Sequence, residues 1–193
     1  MTDSSLKTGI TCFLLVLLMQ ATRADHFGSA VNLPDASLAV FFMAGFLLRS
    51  RWIFPALCVQ AAAIDYWMIQ YNGVSAFCVT PAYGFLLPTY FVMWWTGARA
   101  SRLDLYRFSQ WLGLAGMATL SITAAHLISS GSFYLLAPYF TEHSLAEFSR
   151  RTALYFPRYF VVTAGYLTVL LTVATLAFGS RVTSRTASGI ANG

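Results

Sequence analysis

Long apolar runs separated by short polar gaps make up most of this chain, up to about residue 178. A helix needs about 20 apolar residues to cross a bilayer upright, so this pattern is typical of membrane-spanning helices. It predicts an all-α bundle of six transmembrane helices in one domain, residues 1–180. The expected helices are at about 9–22, 35–49, 53–71, 82–97, 108–128 and 152–178. Residues 181–193, rich in Ser and Thr, are expected to form a disordered cytoplasmic tail.

The composition agrees with a membrane protein. Hydrophobic residues make up 58% of the 193 positions and charged residues 10%, whereas soluble domains carry roughly 25% charged residues. So few charges do not cover a water-facing surface, and a lipid bilayer is expected to solvate much of the chain. The net charge of +5 does not indicate a nucleic-acid partner, because the arginines lie in gaps between apolar runs.

The first apolar run, residues 9–21, allows two interpretations. It fits a signal peptide, because Thr22 and Ala24 resemble a cleavage site. The acidic Asp3 beside a single lysine is unusual for a signal peptide and favours a retained helix. The orientation of the later helices is the same in both cases.

The distribution of Lys and Arg predicts the orientation, because cytoplasmic loops of membrane proteins retain an excess of these residues. One set of alternate connections contains Lys7, Arg49, Arg51, Arg99, Arg102, Arg107, Arg181 and Arg185. The opposite set contains Arg23, Arg150, Arg151 and Arg158, together with Asp25, Glu142 and Glu147. We therefore expect the first side to be cytoplasmic, with both termini inside.

This orientation gathers the reactive residues on the outer side of the membrane. The residues expected there are His26, Cys78, Tyr83, His143 and Arg151. Asp65 lies six residues before the end of helix three, roughly 9 Å below that surface. An ionisable group at such depth indicates a functional site with a partner, and Tyr83 and Arg151 are the nearest candidates. The sequence predicts an outward-facing polar pocket.

Single cysteines and histidines have simpler interpretations as well. A lone cysteine in a membrane helix usually packs as a small apolar side chain, which is our interpretation of Cys12 and Cys58. Cys78 lies in a loop, where its thiol is either structural or able to meet a ligand. His126, within helix five, is interpreted as a hydrogen-bonded core residue rather than a haem ligand. The chain has no nucleotide-binding glycine loop, metalloprotease motif or nucleophile elbow.

Several segments resemble BtuM, a family of small bacterial membrane proteins associated with cobalamin uptake. The most specific are residues 26–30, HFGSA, with residues 33–42, LPDASLAVFF, and residues 77–84, FCVTPAYG. Asp65 in the segment AIDY and Arg151 stand where further marked residues of that family fall. The resemblance covers essentially the whole chain.

The resemblance implies a six-helix fold similar to the S-components of energy-coupling-factor vitamin transporters, in the bacterial inner membrane. Cobalamin would bind from the outer side as the transported ligand, with the Cys78 thiolate on cobalt. The cobalamin-binding residues would be His26, Asp65, Cys78, Tyr83 and Arg151. Cys78 would also be the catalytic residue if the chain, primarily a transporter, removes cyanide from cyanocobalamin. A soft thiolate suits a polarisable transition metal.

S-components that dock on a shared ATP-driven module often carry a small-xxx-small pattern on helix one, which allows close helix approach. Helix one has no such alanine pair between Gly9 and Ala21. This absence argues against docking on an energy-coupling module.

Two other functions remain open from the residues alone. One is a membrane redox or haem protein that uses His26 and His126. The other is an ion-coupled transporter of a different small solute, with Asp65 as the cation site.

Overall fold

The computed structural model describes residues 3–25, 33–48, 50–105 and 107–190, except for the side chains of Cys78 and of some residues at helix ends. Every regular element in these ranges is helical. The main helices are α1 Asp3–Asp25, α2 Ser37–Met43, α3 Ile53–Tyr71, α4 Leu86–Ala100, α5 Phe108–Leu136 and α6 Leu145–Ile190. A π-helical turn, Ala44–Leu48, continues α2, and two 3₁₀ turns, Ala76–Cys78 and Pro81–Phe85, precede α4. The prediction of six helices is confirmed.

Four of the described helices are long and apolar enough to cross a membrane. Their apolar segments are Leu6–Arg23, Ile53–Tyr71, Phe108–Leu136 and Leu145–Leu176. At most 28% of the most apolar part of each is buried inside the protein, so most of these apolar side chains face outward. Apolar surface on this scale needs lipid around it. The chain is therefore a multi-pass helical membrane protein.

The short helix α2 forms the centre of the bundle. It contacts α1, α3, α4 and α6, and Phe41, Phe42 and Met43 are fully buried. Phe41 stacks on Tyr90 of α4 with ring centroids 4.3 Å apart. A helix that is apolar on nearly all sides is stable only when neighbours surround it, which explains why α2 lies at the centre of the bundle.

Two glycines allow α2 and α4 to approach closely. A Cβ atom on Gly97 of α4 would overlap the backbone carbonyl of Phe42, and one on Gly45 would overlap the carbonyl of Trp94. Since backbone atoms cannot move aside as a flexible side chain can, this contact requires glycine on both helices.

Three helices are longer than predicted. Helix α1 spans Asp3–Asp25 rather than residues 9–22. Helix α5 continues to Leu136 rather than ending near residue 128. Polar side chains in this part of the helix bond to its own backbone, as the Ser132 hydroxyl donates to the Ser129 carbonyl at 3.0 Å. Helix α6 begins at Leu145 rather than near residue 152. It also continues to Ile190, where a disordered tail was predicted from residue 181; no proline follows Pro157 to interrupt it.

The fourth helix begins later than predicted. Helix α4 begins at Leu86, which puts Pro88 in the first turn. A proline there removes no helical hydrogen bond, because the first N–H groups of a helix have no partner within it. The preceding residues, predicted as helix from 82, form the 3₁₀ turn Pro81–Phe85 instead.

Candidate functional site

A partly open cavity of about 830 Å³ lies at the end of the bundle where α2, α4 and α6 begin. Its charged and polar lining includes Arg23, Asp35, Asp65, Tyr83, His126 and Arg151. Three residues that the sequence singled out, Asp65, Tyr83 and Arg151, therefore line the same cavity. They come from α3, the turn before α4, and α6, and only the packing of the bundle brings them together.

Asp65 forms a buried ion pair with Arg23 of α1. The guanidinium donates from Nε to Oδ1 at 2.7 Å and from Nη2 to Oδ2 at 2.6 Å. Arg23 is only 6% exposed and Asp65 9%. This bidentate geometry is the strongest form of the arginine–carboxylate contact. It compensates the negative charge of Asp65 inside the membrane.

Sequence reasoning missed Arg23 because helix one was predicted to end at residue 22. The structure continues α1 to Asp25, which puts Arg23 on the helix. It stands four residues after Met19 and eight after Leu15, both buried. Residues at this spacing share one face of a helix, and the spacing was a signal that could have identified Arg23.

Arg23 also contacts the start of α2 and the first part of α4. Its Nη1 group lies 2.8 Å from the Tyr90 hydroxyl, 3.1 Å from Ser37 Oγ and 3.2 Å from Asp35 Oδ2. Asp35 in turn accepts from the Ser37 backbone N–H at 2.9 Å. Asp35 was expected at a helix start, and this bond shows that it stabilises the first turn of α2.

Tyr83 is the second partner of Asp65, as the sequence predicted. Its hydroxyl donates to Oδ2 at 2.7 Å. The 3₁₀ turn that carries Tyr83 begins after Thr80, whose hydroxyl accepts from the Ala82 N–H at 3.3 Å. Burial, and then the neighbouring carboxylate, raise the pKa of Tyr83 to about 12. The phenol therefore remains a proton donor at neutral pH.

The expectation that Arg151 would pair with Asp65 is wrong. Arg151 donates from Nε to Glu147 Oε1 at 2.7 Å and lies over the Phe140 ring at 4.9 Å. Glu147 is four residues earlier on α6, so the two side chains share one face of the helix. Arg151 remains on the cavity wall.

His126 is a buried residue of α5 that borders the same cavity. Its ring packs against Tyr159 and Phe156 of α6, with centroid distances of 4.7 and 5.3 Å. The Ser130 hydroxyl lies 3.4 Å from Nδ1. These contacts agree with its interpretation as a core residue. Among the described residues, no group of three or more His, Cys, Asp or Glu side chains is arranged to hold a metal ion.

His26 lies outside the described residues, and so does the Cys78 side chain. The backbone of Cys78 ends the 3₁₀ turn Ala76–Cys78. Its neighbour Phe77 lines the cavity and stacks on Tyr139 at 4.1 Å. The Tyr139 hydroxyl donates to the Phe77 carbonyl at 3.1 Å, which holds this turn beside the cavity.

No protein-family model matches this chain, and no curated protein matches it. The fold and the site define a multi-pass helical membrane protein with a polar cavity at one end of its bundle.

Proposed function

We propose that this chain binds cobalamin and mediates its uptake across the bacterial inner membrane. In this proposal all six helices span the membrane in an S-component-like bundle, both termini are cytoplasmic, and the cavity faces outward. The observation that carries it is that Asp65, Tyr83 and Arg151 line one cavity. The resemblance to BtuM had marked these residues at three distant positions of the sequence.

The size and lining of the cavity support a large, mostly apolar ligand with polar edges. Ligand cavities are typically roughly 300–1,000 Å³, and this one is near the upper end at about 830 Å³. Aromatic side chains form much of its wall, among them Phe77, Phe133 and Phe140. A corrin ring offers apolar faces to such a wall and amide groups at its edge to Tyr83 and the charged residues.

The proposed chemistry at Cys78 is a ligand exchange. The thiol loses its proton, the sulfur forms a bond to cobalt, and cyanide leaves and takes up the proton as hydrogen cyanide. A soft thiolate favours this bond, and coordination lowers the pKa of a thiol. His26 would complete the surroundings of the corrin.

Transport without an energy-coupling module is part of this proposal. Helix α1 uses one face for the protein core, through Leu15 and Met19. Its remaining surface carries large side chains such as Phe13 and Leu14, which are more than half exposed. Bulky side chains prevent the close helix approach that small residues allow.

The alternative of an ion-coupled transporter with Asp65 as its cation site has less support. Both carboxylate oxygens of Asp65 already accept hydrogen bonds from Arg23, and Oδ2 accepts a further one from Tyr83. A cation would have to displace a buried guanidinium.

A haem protein and a corrinoid protein differ in their visible spectra, so the spectrum of the purified chain loaded with cobalamin separates them.

The test of the proposal compares Cys78→Ala with Cys58→Ala. Cys58 is a partly buried free cysteine in α3 and serves as the matched control. We expect the purified wild type and Cys58→Ala to bind cobalamin with the spectrum of a cobalt–thiolate bond. Cys78→Ala should lose that spectrum while it remains folded. Direct ligation is refuted if the two variants give the same spectrum, and the whole proposal is refuted if the wild type binds no cobalamin.

A further inference from the structure

Two arginines of α6 lie on the wall of the same cavity as the ion pair of Arg23 and Asp65. They are Arg151 and Arg158, which are seven residues apart. Seven residues are two helical turns, about 10 Å along the axis, so both project from the same face. Tyr155, between them, lines the cavity as well. We call Arg151, Tyr155 and Arg158 the basic strip.

The two arginines of the basic strip carry more positive charge than the nearby carboxylates neutralise. Arg151 uses only Nε, toward Glu147, and this carboxylate is shared with Arg150 at 2.8 Å. Arg158 has no ion pair and no hydrogen bond with any other described residue. Arg23, in contrast, donates from all three of its guanidinium nitrogens.

The cavity wall as a whole also has more positive than negative charges. The described lining contains the guanidiniums of Arg23, Arg151 and Arg158 and the carboxylates of Asp35 and Asp65. Both carboxylates already bind Arg23. A guanidinium within a membrane-spanning helix is stabilised by an anion or by water, and the protein provides no carboxylate for Arg158 among its described residues.

We infer that the basic strip binds a phosphodiester group. The two fork-shaped guanidiniums match the paired oxygens of a phosphate, and the Tyr155 hydroxyl can donate a further hydrogen bond. This inference rests on the proposed function, since cobalamin carries one phosphodiester, in its nucleotide loop. The corrin ring would then lie toward Asp65 and Tyr83, with the nucleotide loop along α6. A phospholipid headgroup presents the same chemistry from a different source.

The first experiment compares cobalamin with cobinamide, a corrinoid that lacks the phosphodiester and the nucleotide base. Dissociation constants are measured by equilibrium dialysis in a nonionic detergent for wild type, Arg158→Gln and Arg151→Gln. We expect each variant to bind cobalamin about tenfold to a hundredfold more weakly, as for loss of a charged hydrogen bond. In Arg158→Gln the affinity for cobinamide should be unchanged. Arg158→Lys should retain more cobalamin affinity than Arg158→Gln.

Arg150→Gln is the matched control. Arg150 adjoins Arg151 on the same helix and binds the same Glu147, but it does not line the cavity. Its cobalamin affinity should equal that of the wild type. Equal losses for cobalamin and cobinamide in Arg158→Gln, or no loss for either, would overturn the assignment to the phosphodiester of the corrinoid.

A second probe separates this inference from the proposed function. Glycerophosphoglycerol, a soluble phosphodiester, is added to the protein without corrinoid, and phosphatidylglycerol is added in a parallel sample. A rise in melting temperature in wild type but not in Arg158→Gln supports the phosphodiester site even if cobalamin does not bind. A rise with the lipid alone assigns the site to a headgroup. The inference fails if neither probe nor cobalamin distinguishes the two proteins.

Discussion

Arg23 of α1 and Asp65 of α3 form a two-pronged ion pair with N–O distances of 2.7 and 2.6 Å, buried in the wall of the cavity. The same guanidinium reaches Asp35 before α2 and Tyr90 of α4. One side chain thus holds four helices together at the end of the bundle where the cavity lies. This polar network therefore stabilises the wall of the cavity.

Neutralising one member of this pair should destabilise the protein strongly. Asp65→Asn leaves the buried Arg23 charge with Asp35 alone, and loss of one partner of a buried pair costs about 3–5 kcal/mol. Arg23→Gln should cost a similar amount. The free energy of unfolding, measured with denaturant in detergent, checks both.

The double variant Arg23→Gln with Asp65→Asn provides the control for coupling. Because it leaves no unpaired charge at this pair, its loss of stability should be smaller than the sum of the two single losses. Strictly additive losses would mean that the two side chains do not depend on each other.

Tyr83→Phe removes one hydrogen bond to a carboxylate and leaves the ring in place. A bond of this kind contributes about 1.5–3 kcal/mol, so the variant should unfold more easily by about this amount. Tyr66→Phe is the matched control, since Tyr66 is 63% exposed and makes no hydrogen bond with another described residue. Equal stability of the two variants would contradict the assigned role of Tyr83.

Gly97→Ala should disrupt the contact between α2 and α4. The added methyl group meets the backbone carbonyl of Phe42, and overpacking of this kind costs about 1–3 kcal/mol or more. Gly113→Ala in α5 should have the opposite sign, because nothing lies within 4 Å of its added methyl group. In a helix interior alanine is favoured over glycine by about 1 kcal/mol. Thermal unfolding of the two variants measures both effects.

Reporter fusions test the orientation derived from the Lys and Arg distribution. Alkaline phosphatase is active only outside the cytoplasm, so a fusion after Asn72 should be active and a fusion after Ser101 inactive. A fluorescent protein at the C-terminus should fluoresce. The reverse pattern would place the cavity on the cytoplasmic side and would contradict uptake from outside.

The sequence alone determined the features that depend on local patterns. The lengths of the apolar runs predicted six helices and a membrane environment, because a helix inside lipid must be apolar over most of its own surface. Asp65 stood out for the same reason, as a charge in an apolar run. Tyr83 was a correct partner because it lies at the adjacent end of the next helix along the chain.

The tertiary structure decided which charges meet. Arg23 and Asp65 are 42 residues apart, and their contact depends on where α1 ends and on how it packs against α3. Arg151 binds Glu147 on its own helix instead of Asp65. The central position of α2 and its glycine contact with α4 likewise arise from packing between helices. Hydrophobic periodicity predicts whether a residue is buried. It does not predict which residue of another helix lies beside it, because that depends on how the helices pack against each other.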